Sequence, residues 1–194
     1  MNIKHFILVS CTLMVMASCS EKSDVVEEFH DWKNKNEKYF EAAYLANDYD
    51  FKLKKYSLRE ELTPKSTDYI LVEKLSDSEV YDDQRPFLND TVQIHYVGTL
   101  IPSTTYTTGL EFDKSYQNPF NFENAVPRTF AVNSVVSGFG TALLNMHRGE
   151  HWLVTIPYQL GYGSVANGSI PAYSTLIFEI RLEDFWSKKK GDRH

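Results

Sequence analysis

The chain has 194 residues, with 20 Lys and Arg against 26 Asp and Glu for a net charge of −6. An acidic chain with no Lys/Arg stripe is a poor match to nucleic acid. Its two cysteines, Cys11 and Cys19, are too few for a disulfide framework, so the fold must rest on an apolar core, in one domain plus an appendage.

Taken in chain order, residues 1–18 read as a targeting segment. Lys4 is a short basic start, and Phe6–Met16 (FILVSCTLMVM) is an apolar run too short to span a bilayer. Met16-Ala17-Ser18-Cys19 resembles a bacterial lipobox, with Met in place of the usual first Leu. On that reading 1–18 is a lipoprotein signal peptide. Cys19 becomes the lipidated N-terminus, and the protein is expected in the bacterial cell envelope, lipid-anchored at the outer membrane and facing the periplasm or the surface. Residues 19–66 form a tether and an N-terminal helical segment. Apolar residues at 25, 29, 32, 39 or 40 and 43 recur every three or four positions, which predicts an amphipathic helix over 25–43. Such a stripe usually packs on its own domain. The alternative is a homodimer through residues 25–43, with Asn36 setting the register. Residues 46–66 have mixed charge and no clear period, and read as a linker or a second short helix.

From Asp68 the pattern changes to strands. Tyr69–Leu75 is β-branched and aromatic, and Val92, Ile94 and Tyr96 alternate with Gln93, His95 and Val97 as in a half-buried strand. Phe112 follows the Gly109 turn in a short strand, and Arg128–Val132 is another. Gly140–Met146 reads as one or two turns of helix ended by Gly149. Trp152–Ile156 and Thr175–Phe185 alternate strongly. Strands with one late helix predict an α+β fold, an antiparallel β-sheet wrapped around one short helix, over residues 67–186. Residues 187–194 carry Lys188, Lys189 and Lys190, a basic tail that reads as solvated, with anionic lipid as the alternative contact.

Four local motifs point elsewhere and lack their context. His147-Arg148-Gly149-Glu150-His151 fits the inverted zinc-protease pattern, which needs an unbroken helix; Gly149 breaks it. Gly138-Phe139-Gly140 begins like a dinucleotide loop without a βαβ unit around it. Ser164 after Gly163 is not a nucleophile elbow. Asn89-Asp90-Thr91 and Asn167-Gly168-Ser169 are formal sequons, read as turn residues. No metal and no cofactor are called for.

What remains is DTVQIHYVGTL (90–100), LEFDKS (110–115), VVSGFGTALLNM (135–146), TIPYQLGYG (155–163) and IPAYSTLIFEIRL (170–182). In order and spacing these segments resemble the FKBP-type peptidyl-prolyl isomerases, in their bacterial, Mip-like branch. The resemblance covers about half of the chain. It implies isomerisation of X–Pro bonds in exported polypeptides. The X–Pro amide turns over in tens of seconds unaided, across a barrier of about 20 kcal/mol. Reaching milliseconds takes about a ten-thousandfold acceleration, roughly 5.5 kcal/mol. A dry aromatic cup that twists the bond can supply this without proton transfer.

Carried over residue by residue, the resemblance gives Tyr96, Phe112, Phe139 and Phe178 as walls of a prolyl cup, with Val135 and Val136 at its rim. The Val136 N–H and the Tyr162 hydroxyl would bind substrate carbonyls, and Ile170 would overhang the pocket. Asp113, oriented by Tyr96, would face the reacting carbonyl and act through its field and hydrogen bonds. Asp113 and Tyr162 are thus the catalytic candidates. There are three departures. Phe139 stands where the family usually has Trp. Residues 101–109 and 116–127 look longer than the minimal pattern, which predicts a reshaped entrance. Arg128 falls near a position that is an aromatic wall in many members, which predicts weaker binding of macrolide inhibitors. The rival readings are a catalytically weak binding or chaperone lipoprotein of the same fold, and a purely structural envelope lipoprotein.

Overall fold

The computed structural model describes residues 28–59, 62–76, 83–116 and 125–187. The expected signal peptide, Cys19, the first residues of the expected helix, most of the 116–127 insertion and the basic tail lie outside the described residues. The fold is α+β, with the expected antiparallel sheet, a short helix laid across it and a longer helix before it.

The first helix, α1, spans Trp32–Ala46, entered by Asp31 and left by Asn47, both in left-handed conformation. Asn and Asp tolerate that region better than other side chains because their short polar groups bond locally. Trp32, Asn36 and Phe40, one helical turn apart, are the buried stripe. They pack on the chain's own domain, so the face that could have been a dimer seam is already covered. Burial of Trp32 and Phe40 contributes about 1.5–3 kcal/mol each.

Between α1 and Ser66 the described residues include a strand in place of the expected linker or second short helix. Phe51–Lys54 is a strand, β1, paired antiparallel with β2 (Tyr69–Ser76) from Phe51↔Val72 to Lys54↔Tyr69. Four residues, FKLK, are too few to show a period. The free edge of β2 decides their conformation, and the Phe51 ring then lies 6.0 Å from that of Trp152.

β3 (Asp90–Leu100) is the central strand. It pairs along its length with β7 (Leu176–Ser187), while its other edge is shared by β5 (Arg128–Ala131) at residues 91–94 and β4 (Glu111–Lys114) at residues 97–99. Tyr96 falls in the gap between those two short strands, its backbone satisfied by Ser115. β6 (His151–Ile156) lies between β2 and β7, giving the order β1-β2-β6-β7-β3-β4. The strands read from alternation therefore form as expected.

The short helix α2 spans Ser137–Leu143, beginning three residues before the expected Gly140. Its start is set by packing: a Cβ on Gly138 would lie 2.3 Å from Ile156 Cγ2, so only glycine lets the helix settle this close to β6. Gly149 turns the chain into β6 with φ of +82°, a conformation natural to glycine. Ile70, Val72, Ile94, Leu143, Met146, Ile156, Leu176, Ile180 and Leu182 fill the core between α2 and the sheet.

Candidate active site

At one end of α2, side chains from β3, β4, β5, β7, α2 and two loops enclose a cavity of about 420 Å³. That is the size of an ordinary small-ligand pocket, about 300–1,000 Å³. All nine expected site residues other than Cys19 line it: Tyr96, Phe112, Asp113, Val135, Val136, Phe139, Tyr162, Ile170 and Phe178. The strand period brings the rings together. Tyr96 on β3 and Phe178 on β7 face the helix side, and Phe139 points back at them from α2. Phe139 and Phe178 meet edge-on at 4.8 Å between centroids, as do Phe112 and Phe178 at 5.4 Å, and the Tyr96 ring stands 6.2 Å from Phe139. Perpendicular rings are the arrangement their quadrupoles favour, worth about 0.5–1.5 kcal/mol per pair beyond burial.

The polar groups sit on the rim. The Tyr96 hydroxyl donates to Asp113 Oδ2 at 2.5 Å, and the Lys114 N–H donates to Asp113 Oδ1 at 2.9 Å, so both carboxylate oxygens are held. Arg128 approaches Asp113 Oδ1 at 3.9 Å and donates to the Lys114 carbonyl. Half-exposed as that pair is, its direct energetic contribution is small; its effect is on the field at the pocket mouth. Val136 immediately precedes the first turn of α2, where backbone N–H groups lack helical acceptors and are free for a ligand. The Tyr162 hydroxyl makes no hydrogen bond among the described residues.

Four features of the cavity escaped the sequence reading. Phe130, two residues beyond Arg128 on β5, supplies the aromatic wall on that side, 5.9 Å from the Tyr96 ring, while Arg128 points to the rim instead. Ser134, Asn167 and the Gly168-Ser169 turn also line the cavity. Asn167 and Ile170 exchange both backbone hydrogen bonds around Gly168, whose φ is +57°. The formal sequon is thus a tight turn over the pocket. Its only sequence signal was the Asn-Gly pair, which marks a turn but not what the turn covers.

The sheet, the helix and the aromatic cavity agree with a family comparison: the model of the FKBP-type peptidyl-prolyl cis-trans isomerases matches residues 82–183, just over half of the chain. The chain belongs to that family. It is 42% identical over 106 residues to FK506-binding protein 2 of Aspergillus oryzae, covering 54% of this chain and 71% of that protein. It is 34% identical over 107 residues to the macrophage infectivity potentiator of Trypanosoma cruzi, covering 55% of this chain but only 48% of the relative. Among solved structures, the peptidyl-prolyl cis-trans isomerase of Pseudomonas syringae superposes with a TM-score of 0.57 at 26% identity, covering 81% of this chain and 95% of that one. In this FKBP domain the inverted zinc-protease motif is dispersed. His147 Nε2 accepts from Arg85, and His151, across the Gly149 turn, pairs with Glu179 at 2.8 Å.

Two phenols of the FKBP pocket are shifted in the same direction. Burial first, then the hydrogen bond to and charge of Asp113, hold Tyr96 well above the usual tyrosine value. Burial first, then the charge of Asp113, raise Tyr162. A raised phenol favours the neutral folded form. Its stabilisation is therefore complete below the usual value of about 10 and is lost as pH rises through and beyond it. Both hydroxyls accordingly remain donors at neutral pH. The expected pH–rate profile is flat from about pH 7 to about pH 9, with the unfolding midpoint falling only above about pH 10. A rate that changes severalfold inside that window would show that a group other than these phenols controls turnover.

Proposed function

We propose that the cavity is the site at which this chain isomerises X–Pro bonds of exported polypeptides, with Tyr96, Phe112, Phe130, Phe139 and Phe178 enclosing the prolyl ring. The Val136 N–H and Tyr162 hydroxyl hold the flanking carbonyls, and Ile170 closes over the ring. Asp113, fixed by Tyr96 and Lys114, places a negative field beside the twisting amide. The observation that carries this reading is the convergence of five rings on one open cavity with all its fixed charge at the rim. The cup strips water from the prolyl amide and favours the form in which resonance is broken. The rim groups meet the twisted carbonyl without reorganising, which is where preorganised dipoles lower a barrier most.

A protease-coupled assay on a short peptide with a single X–Pro bond tests it. Asp113→Ala and Tyr162→Phe are each expected to lower kcat/KM about tenfold, less than the ~100-fold or more lost when a fully enclosed donor is removed, because both groups are half-open to water. A double variant that matches the parent in rate would refute these roles. Slowed aggregation of an unfolded client without turnover would instead favour the binding-module reading.

The same proposal places the protein in the bacterial envelope, anchored by acyl chains on Cys19 and facing the periplasm or the surface. Incorporation of labelled palmitate that is lost in Cys19→Ala checks the anchor. Macrolide binding is proposed for the same cup, weakened by the charge that Arg128 brings to the rim beside the Phe130 wall. A homodimer through residues 25–43 would have to form without Trp32, Asn36 and Phe40, which α1 spends on its own domain.

A further inference from the structure

We propose that Trp32 and Asn36 of α1 are positioning residues for the prolyl site, because they anchor the loop of residues 163–175 that carries Ile170 over the cavity. The inference rests on the use of the cavity as the peptide site. It concerns a part of the chain outside the segment that matches the family model.

The contacts form a continuous relay. The Trp32 indole N–H donates to Ser174 Oγ at 2.8 Å, and the Ser174 hydroxyl donates to the Pro171 carbonyl at 2.7 Å, next to Ile170. One helical turn on, Asn36 Oδ1 accepts the Thr175 N–H at 2.7 Å while its Nδ2 donates back to the Trp32 carbonyl at 2.7 Å. Two successive loop residues are thus gripped by two successive turns of α1. All of these residues except Pro171 are buried: Asn36 is 0% exposed, Thr175 1% and Ser174 3%. Buried polar bonds of this kind specify one geometry, because each is costly to leave unmade.

Between the anchor and the pocket lies Tyr173, with φ of +64°. A non-glycine residue holds that conformation only where its surroundings dictate it. They do so here from three sides. The Tyr173 N–H bonds the Gly163 carbonyl at 2.9 Å, the Tyr158 ring stands edge-on at 5.3 Å, and Lys33 of α1 lies over its face at 5.3 Å. Tyr158 is itself tied to α1 by its hydroxyl, which donates to Glu37 at 2.9 Å. Beyond Ile170 the loop ends in the Asn167–Ile170 turn, whose Asn167, Gly168 and Ser169 are exposed. Ile170 therefore takes its place from that small turn on one side and from α1 on the other.

The experiment uses the full chain with Trp32→Phe, which keeps an aromatic ring, though a smaller one, and deletes the donor, and Asn36→Leu, which keeps the size and deletes both bonds. Each is measured by kcat and KM on a single X–Pro peptide and by amide hydrogen exchange. Trp32→Phe is expected to lower kcat/KM about fivefold, the equivalent of one net hydrogen bond, mainly by raising KM. The Ile170 and Tyr173 amides should exchange faster while those of β3 do not. Trp32→Phe/Ser174→Ala should be no worse than either single change, since all three break the same relay. Unchanged kcat/KM in folded Trp32→Phe, or a loss that only follows the folded fraction, would overturn the assignment, whether or not Asn36→Leu folds. A parent chain without turnover on the peptide rejects the enzymatic reading instead. The exchange result then still decides whether α1 holds the loop.

Discussion

Gly98→Ala is expected to cut kcat/KM about 100-fold while leaving the sheet folded, the loss associated with moving reacting groups by about 1 Å. Gly98 lies on β3 opposite Phe178 on β7 and Asp113 on β4. A Cβ there would stand 2.6 Å from Phe112 Cε2 and Cζ and from Phe178 Cε1, where carbon atoms prefer about 3.5–4.0 Å. Neither contact is with backbone, so the strand need not move; the rings must. Phe112 is only partly buried, and its easiest displacement is into or away from the cavity. The missing side chain is thus what allows the edge-on Phe112–Phe178 pair to exist. Steady-state kinetics beside a thermal melt measures this: parental rates in the folded variant would show that the Phe112–Phe178 geometry does not matter to turnover.

Phe139→Ala should carry the largest stability loss of any change at the site, about 3–5 kcal/mol. Phe139 is 5% exposed and joins the core of α2 to the floor of the cavity through Phe178 and Tyr96. Removing the ring leaves a void that merges with the existing cavity. Water can then enter, and the neighbours have no reason to collapse onto it. For a domain of this size the melting temperature should drop by about 10 °C. KM should rise with it, because the prolyl ring loses one wall of its cup. A variant that melts with the parent would mean that Phe139 packs far less tightly than its distances indicate.

Strands β3, β6 and β7 were legible from their alternation and β2 from its run of β-branched and aromatic residues, each being long enough to show its pattern. β1 was not, since four residues carry no period and their conformation is decided by a partner some twenty positions on. The pocket aromatics were found through a family resemblance. Their own spacing would have assigned each to the core, and by burial Tyr96, Phe139 and Phe178 are indeed core residues that also face a cavity. Phe130 was overlooked in favour of Arg128 because a two-residue step on a strand keeps the same face, and only the coordinates tell which of the two leans inward. Packing of the 25–43 stripe on its own domain was the expected outcome, with a register role for Asn36 in a second copy only as the alternative. The partner of Asn36 is the Thr175 amide of its own chain, 139 positions away.

By itself, then, the amino-acid order determined every strand but β1, the short helix and the family to which they belong, because those follow from local periodicity and from motifs within single segments. Only the tertiary structure decided that five rings leave a hollow rather than fill it, that Gly98 makes room for two of them, and that α1 bonds to its overhanging loop. A cavity and a long-range bond are properties of surfaces brought together from several elements, and no window along the chain contains them.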